Sequence, residues 1–182
     1  MAVEFRCATA RGRGYARELR ADATLLLRAA GVPDCELSLM LVSDRAMRAL
    51  NREFREIDAP TDVLSFSQIE EAGAAPPSPD SLINQSGLQS GWPLGDVVIS
   101  IDTALRQARE FGVSASSRLR TLLIHGFVHL IGYDHERSAA EARQMRTRER
   151  ALAAKITASN AVTQSSKNTR GRKIARSRVV TR

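Results

Sequence analysis

All three histidines of this 182-residue chain lie within one short stretch, HGFVHLIGYDH, which runs from His125 to His135. His125 and His129 are four positions apart, and this spacing places two side chains on the same face of a helix. Gly132 allows a sharp turn after the helix, so the chain can fold back and bring His135 to the same point. Three neutral imidazoles that converge are the ligand set of a zinc ion with an open fourth position. The stretch therefore predicts a metal site.

The residues around the first two histidines predict a central, buried helix. From Ser117 to Ile131, apolar side chains occur on almost every side of the helical pattern. Two imidazoles buried there without partners would raise the free energy of the folded state, and a bound metal removes that penalty. Three histidines with no cysteine nearby favour a catalytic zinc over a purely structural one.

The spacing H-x-x-x-H-x-x-G-x-x-H is also that of the metzincin peptidases. Those enzymes place a glutamate directly after the first histidine as the general base, whereas this chain has Gly126. A glycine inside a helix costs about 1 kcal/mol relative to alanine, and it cannot transfer a proton. We therefore expect Gly126 to leave room for substrate or for a packed neighbour, and a zinc peptidase stays open as an alternative.

Hydrophobic periodicity predicts four strands and five helices. The predicted strands cover residues 2–9, 35–43, 61–67 and 96–101, and the predicted helices cover residues 15–31, 44–55, 102–112, 117–131 and 138–156. Asp102 is the predicted N-cap of the third helix. Ser138 and Glu141 have the spacing of a capping box at the start of the last helix.

The net charge of +7 comes from the C-terminal end of the chain. Residues 155–182 contain eight lysines and arginines and no acid, while the remaining residues contain 19 basic and 20 acidic side chains. We predict one folded domain over residues 1–157 and a basic, disordered tail over residues 158–182. Such a tail either binds nucleic-acid phosphates or has no specific role.

Residues 69–93 contain four of the six prolines and are too long for an ordinary connection. They predict a flexible surface loop, which is either a lid or an inert insertion. No apolar run approaches the ~20 residues of a membrane span, and the N-terminal residues lack a secretory signal. We therefore predict a cytoplasmic protein whose two cysteines, Cys7 and Cys35, are reduced and have no functional role.

Three stretches of the chain resemble the YbeY endoribonucleases, which are also called ribosomal RNA maturation factors. HGFVHLIGYDH is similar to the signature H-G-x-x-H-L-x-G-Y-D-H of that family, and LNREFREIDAPTDVLSF (residues 50–66) and GDVVIS (residues 95–100) agree with it. The similarity spans about residues 35–152. It implies an α+β fold in which a small mixed sheet, here four-stranded, is covered by about five helices, with the metal site on a central buried helix.

The resemblance also implies a function and a set of site residues. It implies a zinc-dependent, single-strand-specific endoribonuclease that acts in ribosomal RNA processing, at the 3′ end of the small-subunit RNA, and in ribosome quality control. Its partners would be single-stranded RNA, ribosomal RNA and the small ribosomal subunit. In that family the zinc ligands correspond to His125, His129 and His135 of this chain, and a functional arginine corresponds to Arg55. A non-enzymatic, ribosome-associated protein with a structural zinc is a further alternative.

A guanidinium suits the role that the resemblance gives to Arg55, because it is planar, always charged and able to bind a phosphate with two hydrogen bonds. Taken alone, Arg55 would be interpreted as part of a surface ion pair with Glu53 or Asp58. Asp58 and Asp62 are candidates either to orient Arg55 or to cap the strand that follows, and Asp134 is a candidate to orient a ligand histidine.

Overall fold

A four-stranded sheet with the strand order β1-β2-β4-β3 forms the centre of the fold. The structure, a computed structural model, describes residues 3–68, 91–135 and 138–176, with side chains described as far as residue 161. The strands are β1 (Val3–Cys7), β2 (Glu36–Val42), β3 (Val63–Ser67) and β4 (Pro93–Ser100). β1, β2 and β4 run parallel, and β3 pairs antiparallel to β4 at one edge. The sheet is therefore mixed, as predicted.

Within the described ranges, five α-helices surround this sheet. They are α1 (Ala16–Ala30), α2 (Asp44–Arg55), α3 (Ile101–Glu110), α4 (Ala115–Leu130) and α5 (Ala139–Arg176), and a short 3-10 helix, Arg11–Tyr15, precedes α1. The predicted α+β fold of four strands and five helices is confirmed.

The helix that carries two of the histidines lies in the middle of the main core. On α4, the side chains of Leu119, Leu123 and Phe127 have no exposed surface, and they pack in one cluster with residues of α1, α5 and the sheet. A fully buried side chain of this kind stabilises the folded state by about 2 kcal/mol. A smaller cluster around Met47 lies under α2. Apolar packing in the main core therefore fixes the position of α4.

Serines begin three of the helices. The hydroxyl groups of Ser43, Ser100 and Ser114 accept hydrogen bonds from backbone N–H groups in the first turns of α2, α3 and α4. The prediction that Asp102 caps the third helix is wrong, because the helix begins earlier, directly after β4. The carboxylate of Asp102 instead accepts a hydrogen bond from the backbone N–H of Asp44 at 3.1 Å, which joins the N-terminal ends of α2 and α3.

α5 continues past the predicted end of the folded domain at residue 157. Its backbone is helical to Arg176, over part of the range for which a disordered tail is predicted. Near that boundary, Nδ2 of Asn160 donates to Oδ1 of Asp22 at 3.0 Å. The division of the chain into a domain and a tail stays a prediction. Of the loop predicted over residues 69–93, residues 69–90 lie outside the described residues, and Pro93 begins β4.

Candidate metal centre

Three histidines meet at the C-terminal end of α4. The candidate ligand atoms of His125, His129 and His135 all lie within 4.8 Å of one another, and their ring centroids are 4.8, 5.1 and 5.4 Å apart. Zinc bonds to imidazole nitrogen are about 2.0–2.1 Å long, so three imidazoles that approach one another this closely could provide the ligands of one ion. In the described part of the chain, no other group of three metal-binding side chains lies this close together.

The turn after α4 brings the third histidine to the other two. Gly132 has the left-handed backbone that the turn requires, with φ 93°. Its N–H donates to the carbonyl of His129 at 2.9 Å, and the N–H of Tyr133 donates to the carbonyl of Val128 at 3.2 Å. This pair of bonds is a Schellman motif, which ends a helix and reverses the chain. The predicted turn at Gly132 is therefore confirmed, and it places His135 opposite the helix.

A residue that was not predicted orients His125. Nδ1 of His125 lies 2.7 Å from Oε1 of Glu149 on α5, and the two side chains are 32% and 25% exposed. A carboxylate only accepts hydrogen bonds, so Nδ1 carries the hydrogen and Nε2 keeps its lone pair for a metal. Asp134, the predicted partner of a ligand histidine, lines the cleft that contains the three histidines and that is described below. Its role stays a prediction.

The surroundings of His129 favour the neutral form of its ring. Burial lowers its pKa below the ordinary value of 6.5, and the proximity of His125 and His135 lowers the pKa further. The charge of Asp134 and a hydrogen bond with the backbone of Tyr133 oppose these effects without outweighing them. Because imidazole binds a metal in its neutral form, this environment suits a ligand at physiological pH.

Gly126 allows α4 to approach the sheet closely. A Cβ atom at this position would lie 2.8 Å from Cγ1 of Val97 and 2.9 Å from Oγ of Ser65. The hydroxyl of Ser65 also donates to the carbonyl of Gly126 at 3.0 Å. Of the two reasons that we expected for this glycine, the structure shows the packed neighbour. A glutamate here, as in the metzincin peptidases, would force the side chains of Val97 and Ser65 to move.

The three histidines line one side of a cleft of about 460 Å³. A second side of this cleft is lined by residues 61–65 and Ser67, which belong to the edge strand β3 and to the two residues before it. Arg55, the last residue of α2, lines the same cleft. Its position depends on the chain that follows α2, where Glu56 adopts a left-handed backbone with φ 60° and Nδ2 of Asn51 donates to the carbonyl of Ala59 at 2.7 Å. The structure thus brings all four predicted site residues to one cleft.

The two aspartates that were candidates to orient Arg55 are held by other arginines. Nε and one terminal nitrogen of Arg48 donate to the two carboxylate oxygens of Asp58 at 2.8 and 2.5 Å. These hydrogen bonds hold the pKa of Asp58 below its usual range. A carboxylate oxygen of Asp62 lies 3.1 Å from a terminal nitrogen of Arg118. Asp58 and Asp62 thus have arginine partners besides Arg55, and a role for either of them in orienting Arg55 stays a prediction.

Comparison with known proteins relates most of this chain to one family. The family model described as "Endoribonuclease YbeY" matches residues 14–157. A protein of that name from Anaeromyxobacter sp. strain Fw109-5 is 46% identical over 153 residues, which are 84% of this chain and 71% of that protein. The protein of the same name from Geobacter metallireducens is 47% identical over 136 residues, which are 74% and 81% of the two chains.

A more distant relative and a solved structure agree with this result. Endoribonuclease YbeY from Aquifex aeolicus is 41% identical over 146 residues, which are 77% of this chain and 86% of that protein. The solution structure of TM1509 from Thermotoga maritima covers 90% of this chain and 95% of its own, with a TM-score of 0.57 and 22% sequence identity. At that identity, the structural similarity supports the fold alone.

Proposed function

The chain belongs to the YbeY endoribonuclease family, and on that premise we propose that it hydrolyses single-stranded RNA with a zinc ion held by His125, His129 and His135. The observation that carries this proposal is that the three histidines and Arg55 line one cleft. The histidines can bind a metal, and the arginine can bind a phosphate. A phosphodiester bond placed between them would contact both.

The histidine cluster fits a catalytic metal site. Among the described residues, the cluster contains three imidazoles and no fourth ligand of protein origin, which is the donor set of a zinc site with an open position. When bound there, zinc supplies Lewis-acid chemistry, which polarises a phosphate oxygen and makes a water molecule a better nucleophile at neutral pH.

The residues of this chain supply binding, orientation and charge. Arg55 binds the phosphate through its two-pronged guanidinium and stabilises the negative charge that develops on it. Glu149 accepts a hydrogen bond from Nδ1 of His125 and so fixes the tautomer and the ring plane of that ligand. The pKa of His129 is lowered, mainly by burial, so protons compete less with a metal for the lone pair of its ring near pH 7.

We further propose that the RNA substrate is ribosomal, that cleavage matures the 3′ end of the small-subunit RNA, and that the protein takes part in ribosome quality control in the cytoplasm. The sequence resemblance supports these assignments. None of the described helices is both long and apolar enough to cross a membrane. We also propose that residues 1–157 form the catalytic domain and residues 158–182 a basic tail, because the family match ends at residue 157.

Metal analysis and RNA cleavage by the same preparation test the proposed function. We expect one zinc per chain, cleavage of a single-stranded RNA that is abolished by a chelator, and recovery of cleavage when zinc is added back. His129→Ala should lose both metal and cleavage. A chelated protein that cuts RNA at the original rate would contradict the role of the metal.

The same preparation distinguishes the two alternatives. A zinc peptidase would hydrolyse casein in a chelator-sensitive manner, which the packing of Gly126 argues against. A structural zinc would stabilise the fold without supporting cleavage, so its removal would unfold the protein. For the proposed enzyme, the metal-free protein should keep its fold, because the core around α4 is built from apolar side chains and includes none of the three histidines.

A further inference from the structure

An aromatic side chain lies exposed directly beside the proposed phosphate-binding arginine. Phe54 immediately precedes Arg55, and 58% of its surface is accessible to solvent. Ile57, three residues further along the chain, is 47% exposed. The end of α2 therefore exposes apolar side chains on both sides of Arg55 in the sequence, and exposed apolar surface of this kind is often a binding surface.

The ring of Phe54 has structural support at this place. Its centroid lies 4.9 Å from that of Phe66, and the two ring planes meet at 66°, which is the favourable edge-to-face arrangement. Phe66 lies on the edge strand β3, where its side chain faces the core under α2, while its neighbours Ser65 and Ser67 face the opposite side of the strand and line the histidine cleft. Phe54 and the cleft therefore lie on the two sides of this edge strand. Because Phe66 packs against the small core under α2, it anchors one edge of Phe54 and leaves other parts of the ring accessible.

We propose that Phe54 is a stacking site for an unpaired nucleobase of the RNA strand whose phosphate is bound by Arg55. The inference rests on the proposed function and specifies how its substrate is held. Proteins that bind single-stranded RNA combine basic side chains for the backbone with aromatic side chains on which bases stack. Phe54 and Arg55 present these two groups at consecutive positions. A base in a duplex is already stacked and paired, so this site selects single strands.

Binding of a short, fluorescein-labelled single-stranded RNA with a nuclease-resistant phosphorothioate backbone tests the proposal on the zinc-loaded protein. Stacking of a base on an aromatic side chain contributes about 1–3 kcal/mol, so Phe54→Ala should weaken binding by about 5- to 150-fold. Phe54→Trp should bind at least as tightly as the original protein, since it keeps an aromatic surface. Phe111→Ala is the control for loss of an exposed ring, because Phe111 is 60% exposed and, unlike Phe54, is not a sequence neighbour of Arg55.

Strands that lack a single base distinguish stacking from a structural effect of the substitution. One abasic position, moved along the RNA, should weaken binding to the original protein at one place and have no further effect on Phe54→Ala. An equal loss for every strand would show a structural role and overturn the proposal. Unchanged RNA binding by Phe54→Ala would also overturn it, and would point to a protein partner for the patch. If the original protein neither binds nor cuts RNA, the proposed function itself fails.

Discussion

Nδ1 of His125 lies 2.7 Å from Oε1 of Glu149, and this contact joins the histidine helix α4 to the C-terminal helix α5. Both side chains are partly buried, so the hydrogen bond is shielded from competition with water. It holds the imidazole in the tautomer that leaves Nε2 available as a metal ligand. The packing of α5 therefore contributes to the metal site, although α5 supplies none of the three histidines.

Substitution of Glu149 should weaken the metal site without unfolding the protein. We expect Glu149→Gln to lower zinc affinity by about 10- to 100-fold, because partners of ligating histidines have effects of this size. A titration against a chelator of known affinity measures the change. Glu110→Gln is a suitable control, since Glu110 is an exposed carboxylate at the end of α3. Unchanged zinc affinity in Glu149→Gln would exclude the orienting role.

Gly126 should be sensitive to the addition of one methyl group. The new Cβ would lie 2.8 Å from a methyl carbon of Val97, and overpacking of a core costs about 1–3 kcal/mol. The gain in helix propensity, about 1 kcal/mol, offsets only part of this, so Gly126→Ala should lower the free energy of unfolding. Gly14→Ala is the control, because a Cβ there has no neighbour within 4 Å. Chemical denaturation of both variants compares the two sites, and equal stability of both would contradict the packing argument.

The parts of the site that could be predicted from the sequence are those set by local geometry. The spacing of His125 and His129 on a helix and the turn at Gly132 involve only neighbouring residues, and the structure shows both. Glu149 could not be predicted in this way, because it reaches His125 only through the packing of α5 on α4. Arg55 was predicted from family resemblance, since its distance from the histidines along the chain carries no geometric signal.

One further difference has a similar cause. Ser100 and Asp102 are both good N-cap residues and lie two positions apart, so the choice between them depends on where β4 ends. The neighbouring strand therefore decides where the helix begins, and a local pattern does not contain that information.

Asp44 should make the stability of the protein depend on acid pH. Burial alone would raise the pKa of this carboxyl group, but hydrogen bonds from Ser100, Thr103 and Arg106 outweigh burial and hold the pKa below 3.8. The native state thus favours the charged form, so this contribution to stability is present above pH 3.8 and is lost as the pH falls through the lowered pKa. Between about pH 5 and pH 2, the free energy of unfolding of Asp44→Asn should fall less steeply with decreasing pH than that of the original protein. Parallel plots of unfolding free energy against pH for the two proteins would contradict this.

Arg55→Ala should separate phosphate binding from stability. We expect this variant to keep its zinc and its melting temperature and to lose most of the RNA cleavage rate. Arg55→Lys should recover only part of the rate, because lysine keeps the charge and loses the planar, bidentate donor set. Arg48→Ala on the same helix is the control, since Arg48 pairs with Asp58 outside the cleft. A fully active, zinc-loaded Arg55→Ala protein would remove Arg55 from the proposed site.

Truncation after residue 161 tests the basic tail while it keeps the hydrogen bond between Asn160 and Asp22. Residues 162–182 contain seven lysines and arginines and no acid. If they bind RNA phosphates, their removal should weaken RNA binding and flatten its dependence on salt, since each neutralised phosphate of a single strand contributes about 0.7 to the slope. Zinc content and melting temperature should not change, because Leu152 and Ile156 of α5, which pack in the main core, are retained.

A second variant separates the effect of charge from the effect of chain length. It keeps the full length but replaces the seven lysines and arginines of residues 162–182 by glutamine. If the truncated protein shows the original salt slope, the tail does not contact RNA and the affinity resides in the cleft.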